Sequence, residues 1–225
     1  MKIIISIFLL VFADLGRCAS FQNRIFNPLI KSVKLLSYNP KYSLPIISLN
    51  TSEKLNLSFD YLSEDAKDLT YTFVKCNSRW EKSENIFFHD FAEGMEEKLI
   101  TDFEFSENTS TNFIHYNLDF PSSESKFLMS GNYVLIIRES ETSKVLLTQK
   151  FYVAENKTII TQHPKESKDS DLKTTHHLIN FVVNHSLVPS DNPMRDFKAV
   201  VIQNGRYDNA KFDLEPSFIS NNQLI

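Results

Sequence analysis

IHYNLDF, residues 114–120, places Ile114, Tyr116, Leu118 and Phe120 at every second position, with His115, Asn117 and Asp119 between them. A β-strand sends successive side chains to opposite faces, so this stretch packs one face and wets the other. The same period recurs upstream. Leu55, Leu57 and Phe59 alternate with Asn56, Ser58 and Asp60, and Leu69, Tyr71 and Phe73 alternate with Thr70 and Thr72. These segments predict a sheet covered on one side and open to water on the other. Tyr133–Ile137 and Val145–Leu147 are continuously apolar and read as central strands, joined by the polar connection RESETS, 138–143. Further strands are expected at 31–36, 46–49, 103–105 and 151–153. No long stretch keeps a helical period. SEDAKD (63–68) and GMEEKL (94–99) are the best helix candidates, at most two turns each. Many short strands joined by polar loops predict an all-β sandwich.

Composition agrees. Of the 225 residues, 42% are hydrophobic and 23% charged, a balance that folds. Nineteen Phe and eight Tyr against one Trp favour strands. A net charge of -4 gives no electrostatic case for nucleic acid or an anionic membrane as main partner. At the N-terminus, Lys2 precedes the apolar run IIISIFLLVFA, 3–13, and then the small residues of GRCAS, 16–20. This describes a secretory signal over residues 1–20, cut after Cys18 or Ser20. Eleven apolar residues fall short of the roughly 20 that span a bilayer. Processing leaves Cys76 as the one cysteine, so stability has to come from packing rather than a disulfide.

A boundary is expected near Glu155–Asn156, where FYVAE closes one set of strands and KTIITQH opens another. The expected organisation is a first sandwich over 21–155 and a second β domain over 156–225. In the second, PKESKDSD (164–171) forms a loop, and HLINFVVN and FKAVVIQN form buried strands. It has only about seventy residues, against about 100 for a usual sandwich, and this reading has it incomplete.

The chemistry of the chain is sparse. Gly16, Gly94, Gly131 and Gly205 are the four glycines, and no two are close enough to cradle a phosphate. None flanks a serine as a nucleophile elbow requires. His176 and His177 are neighbours and face apart on a strand, and neither His163 nor His185 completes a metal spacing. Asp60, Glu64, Asp65 and Asp68 match no calcium loop. Cys76 has no partner fixed by spacing and reads as a structural thiol, and Trp80 as filling at the end of a sandwich. VVIQNGRYDNA, 200–210, crowns Asn204-Gly205 with Arg206, Tyr207, Asp208 and Asn209. Asn-Gly after an apolar run signals a tight hairpin turn, which is preferred here over a binding loop.

Assembled in order, YTFVKCNSRWEKSE (71–84), FAEGMEEKLITDFEFSENTSTNFIHYNLDFP (91–121), SGNYVLIIRE (130–139), FVVNH (181–185) and VVIQNGRYDNA resemble the plug proteins of the bacterial type 9 secretion system. The resemblance runs from about Ile30 to the last residue. It implies immunoglobulin-like β domains and a non-enzymatic periplasmic protein at the inner side of the outer membrane. Its implied partner is a very large outer-membrane β-barrel translocon, whose periplasmic mouth it closes. It implies no catalytic residue, no cofactor, no small-molecule substrate and no insertion into lipid, and carries over no contact residue. Tyr207 stands where such proteins often have tryptophan.

Three other readings compete. An exported β-sandwich module binding carbohydrate or protein is motivated by exposed Tyr207 and Trp80 and by the Asn-rich loops. An outer-membrane barrel would need strands of about 9–11 residues with a lipid-facing band. A secreted hydrolase has no nucleophile-and-base spacing behind it.

Overall fold

The computed structural model describes residues 20–39, 44–123, 125–167, 171, 173, 177–204, 206–220 and 222–225. In chain order the strands are β1 (Arg24–Ile25), β2 (Ile30–Ser37), β3 (Ile46–Ser48), β4 (Leu55–Tyr61) and β5 (Leu69–Cys76). The short helix α1 (Phe88–Phe91) precedes β6 (Lys98–Leu99), β7 (Asp102–Phe105), β8 (Ile114–Phe120), β9 (Gly131–Glu139) and β10 (Val145–Ala154). Then follow β11 (Ile159–Glu166), β12 (His177–Asn184), α2 (Pro193–Asp196), β13 (Ala199–Gln203), β14 (Arg206–Leu214), β15 (Ile219–Ser220) and β16 (Gln223–Leu224). The chain is all-β, as its periodicity predicts.

Two sheets form the first sandwich. The front sheet has the order β2-β4-β8-β7, and the back sheet β1-β10-β9-β5-β6, with β3 added parallel to β10. The alternation of β4 and β8 sets their register: Leu57 lies opposite Leu118 and Phe59 opposite Tyr116, so both apolar rows fall on one face. Those rows meet Leu69, Tyr71 and Phe73 of β5, Tyr133, Leu135 and Ile137 of β9, and Phe151 of β10 in one core. Phe73 is its hub. Its ring lies 5.0 to 5.8 Å from those of Tyr71, Phe120, Phe127 and Phe151. Each such aromatic pair adds about 0.5–1.5 kcal/mol to the area it buries.

The back sheet departs from the expectation of one wet face. Thr70 and Thr72 are buried with their inward neighbours, because Cys76, Trp80, Val134 and Ile136 form a second cluster on the outer side, joined by Phe21 and Tyr152. The unbroken apolar run of β9 is the sequence counterpart: a strand covered on both faces has no polar row to alternate. Strands 145–147 and 151–153, expected separately, are one ten-residue strand.

Neither helix candidate is helical. In SEDAKD, the Tyr116 hydroxyl accepts from Lys67 N–H and donates to Lys67 C=O, both at 2.9 Å, which holds the segment open. In GMEEKL, Lys98 and Leu99 pair with Tyr71 and Thr70 as β6. Helix α1 forms instead where Phe88 and Phe91 fall three apart and turn one face into the core. With four glycines in the chain, asparagine takes five of the eight non-glycine positive-φ positions among the described residues. Asn50, Asn85, Asn108, Asn204 and Asn222 all have φ between 54 and 63°, a region that Asn tolerates better than other side chains.

The later strands form a sheet of order β11-β12-β16-β15 and the hairpin β13-β14. Pro164 to Glu166, expected in a loop, continue β11 opposite Ile179, Leu178 and His177 of β12. In the hairpin, Gln203 faces Arg206 with Asn204 at φ 54°, the turn that Asn-Gly predicts.

Candidate interaction surfaces

Three faces of the first sandwich carry functional groups. Residues 20–23 run as a strap on the outer side of the back sheet and lead into its edge strand β1. Phe21 N–H bonds Trp80 C=O at 2.8 Å, the Thr148 hydroxyl donates to Gln22 C=O at 2.7 Å, and Asn23 Oδ1 accepts the Lys150 backbone N–H at 2.7 Å. Beneath the strap the Lys150 ammonium sits 4.5 Å from the centre of the Trp80 ring, and Tyr152 meets that ring edge-on at 5.2 Å. Burial lowers the Lys150 pKa from its ordinary value and pushes the Cys76 thiol up to about 11. Trp80 itself holds φ +65°, costly for a bulky residue at about 1–3 kcal/mol, and packing on both sides retains it.

The outward face of the front sheet is polar along β4 and β8. His115 Nδ1 lies 2.7 Å from Asp60 Oδ1 across β8 and β4. Asp119 accepts from the Tyr38 hydroxyl at 3.0 Å and the Asn56 amide at 2.8 Å. Donating to that carboxylate raises the Tyr38 pKa. A histidine–aspartate pair can orient an imidazole for proton transfer. Among the described residues no hydroxyl or thiol is hydrogen-bonded to His115.

The third face is the rim where the chain crosses between sheets. Leu99 on β6 and Phe103 and Phe105 on β7 are exposed, and Phe103 leans on Phe105 and Tyr116 with ring centres 5.9 and 5.6 Å away. β7 ends the front sheet. An exposed edge strand bearing aromatic residues is a natural place for another protein to dock.

The residues singled out in the sequence scatter. Glu64 and Asp65 are exposed in the loop after β4, apart from the Asp60–His115 pair. Trp80 is buried, as its reading as a packing residue expects and against the exposed ring of the carbohydrate-binding alternative, but it lies on the outer face of the back sheet rather than at the end of the sandwich. Continuous burial of β9 gives it a second apolar cluster to join. Cys76 is a buried free thiol, consistent with a structural role. His185 is buried in the C-terminal strands and Asn209 is exposed. His176, Gly205 and the proposed signal segment through residue 19, with the cleavage point at Cys18, lie outside the described residues, as do the side chains of His163, His177, Arg206, Tyr207 and Asp208; Ser20, the other cleavage point, is exposed and its hydroxyl donates to Arg79 C=O at 2.9 Å. Among the described residues no group of three His, Cys, Asp or Glu could hold a metal ion, and no helix is long and apolar enough to cross a membrane. The strap and buried Lys150 were missed by sequence reasoning. Their one trace is the lack of alternation in β9.

These faces surround a close-packed two-layer body, a β-sandwich. Residues 30–155 match the first domain of the type 9 secretion system plug protein, and the chain belongs to that family. A crystal structure of a hypothetical protein from Parabacteroides merdae is similar, with a TM-score of 0.85 and 28% identity over 92% of this chain and 52% of that one. The present chain thus spans about half the length of that relative. Pseudomonas fluorescens alkylpurine DNA glycosylase AlkC bound to abasic DNA aligns over 55% of this chain and 29% of that one, at 14% identity and a TM-score of 0.29. No curated protein matches the chain significantly.

Proposed function

We propose that this protein is a plug subunit of the type 9 secretion system: an exported, non-enzymatic periplasmic protein that seats against the inner mouth of the outer-membrane translocon and closes it. The observation that carries this reading is the family match over 30–155, the stretch that builds the first sandwich. Its physics suits the task. A stopper for a wide pore has to resist deformation, and an inter-sheet core with Leu55, Leu57, Phe59, Tyr116 and Tyr133 all fully buried packs at close to crystal density. A plug also has to leave when cargo passes. An interface of standard size, about 1,600 Å², can be reversible where a larger obligate one is not.

Conductance of the reconstituted translocon tests this directly. Bilayers containing the translocon alone should pass small ions, and adding the protein from the periplasmic side should close the current. Equal conductance with and without it would refute the reading. The carbohydrate-binding alternative loses one of its two aromatic platforms with the burial of Trp80.

A further inference from the structure

The two edges of the front sheet are finished differently. Edge strands offer unpaired backbone to other chains, and proteins blunt them with lysine, proline or a bulge. Strand β2 has such protection: Lys31 and Lys34 flank a break in its register with β4, and Ser32 there holds φ 54°. Strand β7, at the other edge, has none of these, and its register against β8 runs unbroken from Asp102 to Phe105. One bond fixes which way its backbone faces. Ser106 N–H donates to Phe113 C=O at 2.9 Å, which continues that register as a hydrogen-bonded pair. Such pairs alternate along an antiparallel ladder, so Glu104 turns its N–H and C=O to β8, while Phe103 and Phe105 turn theirs to the open edge.

The side chains of β7 are as incomplete as its backbone. Residues directly opposite each other share a face of the sheet, and Phe103 lies opposite Tyr116 and Phe105 opposite Ile114. Tyr116 and Ile114 are at 0% exposure, the two phenylalanines at 37% and 56%. The core-side row therefore runs out into solvent at this edge. On the other face, Glu104 ends a row formed by Lys31, Asp60, His115 and Glu104, in which basic and acidic side chains alternate from strand to strand. Neither Glu104 nor Asp102 has an ion pair among the described residues.

We propose that β7 is a docking edge for an extended segment of another protein, one that alternates apolar and basic residues. The segment adds antiparallel to β7 and lengthens the front sheet by one strand. Its backbone bonds the N–H and C=O groups of Phe103 and Phe105. Its apolar residues lie beside the two rings, and its lysine or arginine stands opposite Glu104. That pairing falls at a non-hydrogen-bonded position, where opposing side chains come closest. Charge selects this occupant. A second copy of β7 that laid Phe103 against Phe105 would set Glu104 against Glu104, and like charges directly opposite are destabilising. The carboxylates thus turn away the chain's own edge and other acidic strands, and favour a basic one.

The test titrates the chain with two capped, dye-labelled peptides, one alternating valine with lysine and the other valine with glutamate. Anisotropy reads binding, and NMR reads amide exchange. The lysine peptide should bind saturably and slow exchange at Phe103 and Phe105 by about tenfold. Glu104, already bonded to β8, should not change, and the glutamate peptide should not bind. Glu104→Lys should weaken the lysine peptide by about fivefold. Phe105→Pro removes an edge N–H but no bond to β8, and should abolish binding with exchange at 133–137 unchanged. Absence of binding overturns the proposal, as does binding that leaves Phe103 and Phe105 unprotected or that treats both peptides alike. Sedimentation of the chain alone as a dimer, with those two amides already protected, gives the edge to a second copy and overturns it too. No readout here involves a translocon, so failure of this inference is distinct from failure of the plug reading.

Discussion

Truncation of Phe73 to alanine probes whether the inter-sheet core supplies the stiffness that the plug reading needs. Phe73 is 3% exposed and its ring touches four others, from β5 itself, β8, β10 and the segment before β9. Removing the ring deletes its transfer energy and leaves a cavity that those rings cannot jointly fill. The expected cost is about 3–5 kcal/mol, a large part of the roughly 5–15 kcal/mol of a typical domain. Taking a urea m-value of about 2 kcal/mol/M, the unfolding midpoint should fall by about 1.5–2.5 M. The chain has a single tryptophan, and Trp80 lies on the outer face of this same back sheet, so its fluorescence reports the first sandwich alone. Phe103→Ala is the matched control. Phe103 is 37% exposed at the rim, and its loss should cost about 1 kcal/mol and move the midpoint about 0.5 M. The reasoning fails if the two variants shift the midpoint equally, or if Phe73→Ala moves it by less than about 1 M.

Other outcomes follow from named contacts. Gly131 has φ +145°, and a Cβ there would collide with Lys75 Nζ; Gly131→Ala should destabilise by about 1–3 kcal/mol, checked by urea melts, with Lys75→Ala recovering only the steric part. Tyr116→Phe removes both bonds to Lys67 and should cost about 1 kcal/mol while speeding amide exchange in residues 62–68. The Cys76 thiol, raised to about 11 from 9.0 by burial, should react negligibly with iodoacetamide at pH 8, and its labelling rate should climb about tenfold per pH unit. Because its folded pKa lies above the unfolded one, the linked stability is complete below about pH 9 and declines between 9 and 11; a melt series over that window should lose this decline in Cys76→Ala. Phe21→Ala should loosen the strap, seen as faster exchange at 147–150 with little change at 135–137.

The sequence by itself determined what local geometry decides. The two-residue period of 55–60 and 114–120 led to β4 and β8, and even to their buried faces, because strand pleating acts on each residue without reference to the rest of the chain. Asn204-Gly205 marked a hairpin for the same reason. The absence of phosphate loops and nucleophile elbows was also legible, since those motifs are contiguous. Only the tertiary structure decided the rest. Trp80, Lys150 and Phe21 are separated by up to 129 positions and meet because the N-terminal strap folds back along β10, a contact that no local pattern encodes. SEDAKD and GMEEKL had modest helical character, and a hydroxyl bond from Tyr116 and pairing with β5 outweighed it. Whether an apolar strand is covered depends on what lies opposite. Strand β4, read as half-buried, found a facing sheet, whereas β12, read as buried, borders an open cleft. Burial belongs to the pair of surfaces, and a single sequence segment specifies only one of them.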